Sequence, residues 1–113
     1  MRIGIVGSRD FKDLKLVQDY VKGLAKDDVV ISGGARGVDK TAVETAIACG
    51  LKTEVYLPDW STEGRMAGFN RNTTIVEQSD CITAFWDGVS NGTRDTMTKA
   101  KLAGKTVSLF LAS

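Results

Sequence analysis

The sequence predicts an α/β domain of three layers, a five-stranded parallel sheet flanked by helices. Three observations carry that prediction. Short runs rich in β-branched and aromatic residues alternate with longer segments of helical period. Glycine-rich turns close several of the runs. The length of 113 residues, with 42% hydrophobic and 26% charged residues, suits one globular domain around one core.

The expected strands are Arg2 to Val6, Val29 to Ile31, Thr53 to Leu57, Cys81 to Trp86 and Thr106 to Leu111. Between the first two, Leu14, Val17, Val21 and Leu24 line one face at helical spacing, with lysines and aspartates opposite. A second helix is expected from Asp39 to about Cys49, with Val43, Ala46 and Ile47 inward and Gly50 ending it. Pro58 and a polar connector, Asp59 to Gly64, follow the third strand. A third helix is expected over Met66 to Gln78, and a fourth over Thr93 to Ala103, closed by Gly104.

Composition narrows the chemistry. There is no histidine, which excludes His-based acid/base catalysis, Ser-His and Cys-His pairs and His-containing zinc sites; no metal or cofactor is expected. Fifteen basic against fourteen acidic residues give a net charge of +1, too little to attract a polyanion over distance, so nucleic acid is not the expected partner. Cys49 and Cys81 are expected to be buried, reduced thiols. No apolar run suits a signal peptide or a membrane span, and the expected location is the cytoplasm.

In a parallel sheet built from right-handed crossovers, the carboxyl ends of the strands share one edge, and ligands bind there where the strand order reverses. Three polar turns fall on that edge: Gly7-Ser8-Arg9-Asp10-Phe11, Ser32-Gly33-Gly34-Ala35-Arg36-Gly37-Val38-Asp39, and Asp87-Gly88-Val89-Ser90-Asn91-Gly92-Thr93. The second packs three glycines before a helix start, which frees backbone amides for an anion, and Arg36 can add a two-pronged grip on phosphate. The third offers Ser90 and Thr93 hydroxyls in the same way, with Asp87 beside them. Arg71 and Asn72, with Arg65 and Asn70, reach the site if the third helix points its start towards it. Trp60 and Trp86 are candidates for stacking on a base, and Phe85 is expected in the core. The competing account is structural, with Asp39 or Thr93 capping a helix and Arg9 and Arg36 in solvent.

Together these motifs resemble the SLOG superfamily of Rossmann-like domains, and within it the small bacterial and phage proteins related to YspA. The resemblance spans nearly the whole chain through GSRDF, SGGARGVD, AGFNRN and AFWDGVSNGT in that order. It implies a pocket for a nucleotide, an ADP-ribose-like molecule or a cyclic derivative, used in sensing or in sequestration; in a phage it would imply capture of a host defence signal. It also implies a homo-oligomer, a dimer or tetramer. SGGARGVD is further similar to the matching turn of DNA-processing protein A, which implies single-stranded DNA binding through an arginine at the position of Arg36.

Part of the pattern is similar to the Lonely Guy phosphoribohydrolases and nucleoside deoxyribosyltransferases, which cleave N-glycosidic bonds. Their glutamate, three residues after a Gly-Thr pair, corresponds to Thr96, which cannot ionise to act on the sugar. Asp87 and Asp95 are the remaining catalytic candidates, although Asp95 sits about 100° round the helix from that position. Three readings follow: a binding domain for a nucleotide-derived ligand, an N-glycosidic hydrolase or transferase, and a single-stranded nucleic-acid binder using Arg9, Arg36 and Arg71.

Overall fold

The computed structural model describes residues 1–111. Five parallel strands, β1 (Arg2–Gly7), β2 (Val29–Ser32), β3 (Lys52–Val55), β4 (Cys81–Trp86) and β5 (Thr106–Leu111), lie in the order β3-β2-β1-β4-β5. The chain runs outward from β1 to β3, then crosses back to place β4 on the other side of β1. The strand order therefore reverses between β1 and β4, whose ends are in register with Gly7 opposite Phe85.

Helices α1 (Leu14–Lys22) and α2 (Val38–Ala48) cover one face of the sheet. Their Val17, Val21, Val38, Ala42 and Ala46 pack on Ile3, Ile5, Val30 and Phe85. Helices α4 (Ala67–Gln78) and α5 (Asn91–Leu102) cover the other, where Ile75, Val76, Met97 and Ala100 meet Val6, Ile31, Ile82 and Ala84. β1 thus buries side chains on both faces, as a central parallel strand must. Burying side chains of this size contributes about 1.5–3 kcal/mol each, which is why the alternating apolar runs fix the layers. The three-layer fold is the one expected, and Phe85 is fully buried, stacked on Phe110 with ring centroids 4.8 Å apart.

Several local expectations need correction, among them the third strand, which ends at Val55 and not at Leu57. The connector after β3 contains a one-turn helix, α3 (Trp60–Glu63), because Asp59 caps it by accepting a hydrogen bond from the Thr62 amide. A 3-10 turn, Gly64–Met66, then leads into α4. Ile47 points outward and is 62% exposed, since Val38, Ala42, Thr45 and Ala46 set the inner face of α2 and Ile47 lies one helical step beyond it. Cys49 is exposed at the C-terminal end of α2, where the helix leaves the core. Cys81 opens β4 and is half-buried, so neither thiol is fully buried; partial burial pushes the Cys81 thiol up.

Candidate ligand-binding site

The turns after β1 and β4 are tied together where the strand order reverses. The Ser8 amide donates to the Phe85 carbonyl at 3.0 Å, and the Asp87 amide donates to Ser8 Oγ at 3.0 Å. Ser8 is thereby buried as a strut. The turn after β2 locks onto the turn after β1: Gly37 has φ 76°, and a side chain there would collide with the Arg9 carbonyl. Only glycine meets both demands.

Between these turns and the start of α4 lies a crevice of about 400 Å³. Gly7, Arg9 and Asp10 line it from the first turn, Ala35 and Asp39 from the second, and Asp87, Ser90, Gly92 and Thr93 from the third. Helix α4 contributes Arg71, Asn72 and the apolar Ile75, and Thr96 of α5 and Val6 complete it. The convergence expected of the three turns is present.

Arg71 crosses the crevice and rests against the second turn. Its Nη1 donates to the Gly33 carbonyl at 2.6 Å and its Nε to Asn72 Oδ1 at 3.1 Å. A Cβ on Gly33 would lie 2.5 Å from Nη1, so the glycine makes room for the guanidinium. Arg71 is half-buried, and burial holds its pKa below the ordinary arginine value. None of the ion pairs among the described residues includes it.

Two acids meet the crevice with their carboxyls shifted in opposite directions. Asp39 is 6% exposed, and burial raises its carboxyl to about 6 even though the Ala35 amide and the nearby Arg71 and Arg9 favour the charged form. It accepts from the Ala35 amide at 3.1 Å and so holds the second turn, while Gly37 occupies the cap position of α2. Asp87 accepts from the Val89 and Ser90 amides at 2.9 and 2.8 Å, which keep it below the usual carboxylate range. Thr93 and Thr96 are buried, and Thr96 Oγ1 donates to the Gly92 carbonyl. Ser90 and Thr93 hydroxyls stand 3.4 Å apart.

Several predicted residues lie elsewhere. Arg36 is outside the crevice lining; its side chain is 69% exposed and pairs with Asp10 at 3.2 Å across the rim, because Gly37 turns the chain into α2 just after it. Ser32, Gly33, Gly34 and Gly37 shape the turn from behind; Ser32 Oγ accepts from the Gly34 amide. Trp60 stands exposed on α3, and Trp86 donates from Nε1 to the Ser90 carbonyl at 3.0 Å beside Arg94. Neither tryptophan lines the crevice. Asp95 is also off the lining, held between Asn72 Nδ2 at 3.1 Å and Lys99 Nζ at 2.9 Å. Sequence reading missed Asp10, Ile75 and Val6 as lining residues; the signal for Ile75 was its position one helical turn beyond Arg71. Among the described residues no group of three or more His, Cys, Asp or Glu side chains is placed to hold a metal ion, and no helix is long and apolar enough to cross a membrane.

The fold, with its crevice at the strand-order reversal, defines a Rossmann-like α/β domain. The family model of DNA recombination-mediator protein A matches residues 1–64, and the chain belongs to that family, in keeping with its SLOG-type motifs. No curated protein sequence matches the chain. Among solved structures, DNA processing protein A from Streptococcus pneumoniae is similar with a TM-score of 0.79 at 19% identity, over 96% of this chain and 49% of that one. DNA processing protein A from Helicobacter pylori, whose structure describes its single-stranded DNA binding mode, is similar with a TM-score of 0.77 at 19% identity, over 96% of this chain and 64% of that one. A structural-genomics target, TM1055, gives a TM-score of 0.71 at 18% identity, over 94% of this chain and 71% of that one. These likenesses are of fold. The chain spans about half the length of the first protein and under two thirds of the second.

Proposed function

We propose that this domain binds a nucleotide-derived molecule by its phosphate in the crevice between β1, β4 and α4, without consuming it. The observation that carries this reading is Arg71. A half-buried guanidinium whose hydrogen-bond partners are a carbonyl and an amide oxygen has given up hydration without a carboxylate in contact, with Asp39 acting on it only from further off. A phosphate supplies that charge and takes two parallel hydrogen bonds from the planar fork. The Gly92 to Thr93 start of α5 faces the same space with the favourable end of its dipole. Ser90 and Thr93 add neutral hydroxyl donors suited to sugar and phosphate oxygens.

A second reading is favoured by the family itself: the phosphate in the crevice belongs to single-stranded DNA, as the Helicobacter pylori relative's described binding mode suggests. Against it stand the net charge of +1 and three aspartates, Asp10, Asp39 and Asp87, in the lining.

The test is calorimetric titration with ADP-ribose of three proteins: unchanged, Arg71→Ala and Arg36→Ala. Loss of a charged hydrogen bond costs about 1.5–3 kcal/mol, so Arg71→Ala is expected to weaken binding by roughly ten- to more than a hundredfold. Arg36→Ala, on the rim, is expected to weaken it by less than about fivefold, the effect of one exposed charge. Equal affinity in folded Arg71→Ala and unchanged protein would remove the phosphate site from this crevice.

A further inference from the structure

A second cavity, of about 340 Å³, also reaches Arg71 and lies between the end of β3 and the first turns of α4. Its character differs from that of the crevice. Val55, Leu57 and Pro58 give it apolar walls, and Tyr56 lines it as well. The Tyr56 hydroxyl donates to Glu54 Oε1 at 2.7 Å, and Arg2 holds the same carboxylate with bonds of 2.8 and 2.6 Å. The ring is therefore fixed before anything binds. Asn70 donates to Glu63, and together they bring an amide and a carboxylate to the lining, donors and acceptors of the kind that read a base edge.

One turn shapes both spaces. Gly33 leaves room for the Arg71 guanidinium, and Gly34, at φ 74°, lies where any side chain would strike Leu57 and Val55. Arg71 is the lining residue common to the two cavities. The crevice presents hydroxyls, amides, two arginines and three aspartates, donors and acceptors for a phosphate, a sugar and a base edge; the second cavity presents apolar walls, an aromatic ring and an amide, suited to a second base.

We propose that the crevice and this cavity are two halves of one elongated site, and that its ligand consists of two nucleosides joined through phosphate, with the bridge at Arg71. This rests on the phosphate reading of Arg71 given above. Leu57, 70% exposed, and Val55, 43% exposed, are then covered when the second nucleoside is seated. Each cavity alone lies near the lower bound of about 300 Å³ for small-molecule sites. Joined, they match a ligand of two nucleosides better than a mononucleotide.

The experiment compares AMP, diadenosine diphosphate and adenylyl-(3′→5′)-adenosine by calorimetry on the intact chain. Both two-nucleoside ligands are expected to bind about tenfold or more tightly than AMP, the gain from one further stacked base. A preference for the diphosphate identifies a free pyrophosphate-bridged molecule, and a preference for the 3′→5′ linkage identifies a step of a nucleic-acid strand. Thr74→Met fills the second cavity from α4, outside the crevice lining, and is expected to erase that advantage. Thr74→Val keeps the volume and is expected to keep the advantage, and thermal melting checks that both variants fold. AMP binding with no two-nucleoside advantage overturns this inference alone. So does an advantage that survives Thr74→Met in the folded protein. Absence of binding by all three ligands overturns the phosphate reading with it.

Discussion

Residue chemistry at the site turns on two side chains that sequence patterns ranked differently. Arg36 stands in the glycine-rich turn and was the expected phosphate grip, yet positive φ at Gly37 sends the chain into α2 and leaves Arg36 on the rim with Asp10. Arg71 lies in the AGFNRN segment, expected to reach the site only if its helix points its start that way. It enters the crevice because Gly33 offers no side chain and its carbonyl accepts the guanidinium. Which arginine turns inward depends on a contact between residues 38 positions apart, and local sequence does not encode that. Asp39 gives a pH-dependent consequence. Its carboxyl titrates at about 6 in the folded protein against 3.8 when unfolded, so the folded state holds the extra proton between those values. The stability this contributes is present in full below the unfolded value and is lost as pH rises through about 6. Asp39→Asn, which carries no charge at any pH, is expected to gain stability relative to the unchanged protein between about pH 4 and 7.5, with a plateau above. Urea unfolding of both proteins across that range measures the difference; a pH-independent difference would place Asp39 in a hydrated setting.

At the level of elements, β1, β2, β4 and β5 were legible because each is rich in apolar residues with a turn signal beside it, whereas β3, the edge strand KTEV, runs Lys52–Val55 instead of the expected Thr53 to Leu57. Predicted and observed β4 and β5 share the same limits, and β1 and β2 each extend one residue further into the site turns. The misplaced features share a physical cause. The one-turn α3 is created by a local cap rather than by apolar periodicity, and the inner face of α2 is chosen by what packs beneath it. Ala42 and Thr45, small enough to sit against β1 and β2, displaced Ile47 from that role. The joint between the first and second turns is equally tertiary, and it yields a test. Gly37→Ala forces a Cβ onto the Arg9 carbonyl at a φ of 76°, so it is expected to destabilise the protein by about 1–3 kcal/mol. Gly50→Ala shares the positive φ at the end of α2 but meets open space, and is expected to cost less than Gly37→Ala. Thermal or denaturant unfolding ranks the two; equal losses would mean that the contact with Arg9 adds nothing to the strain.

For the whole molecule, the reversal of strand order between β1 and β4 is what would let a nearly neutral chain hold the phosphate proposed above. The positive charge at the crevice is local, from Arg9, Arg71 and the start of α5, and it is flanked by aspartates that a long polyanion would also have to meet. The position of the crevice at this edge followed from the order of strands and helices alone, whereas the second cavity did not, since Tyr56, Asn70 and Glu63 are brought together only by the tertiary fold. A strand that neutralises several phosphates releases about one counterion for each, so its affinity falls steeply as salt rises. A single phosphate-bearing molecule in a partly enclosed crevice depends on salt far less. The decisive measurement is binding of ADP-ribose and of a single-stranded oligonucleotide to the native assembly over rising salt, followed by denaturation and chromatography of the released ADP-ribose. The account predicts saturable ADP-ribose binding that changes little with salt, recovery of the molecule intact, and weak oligonucleotide binding at physiological ionic strength. Tight oligonucleotide binding that collapses as salt rises, with no retained ADP-ribose, would contradict it.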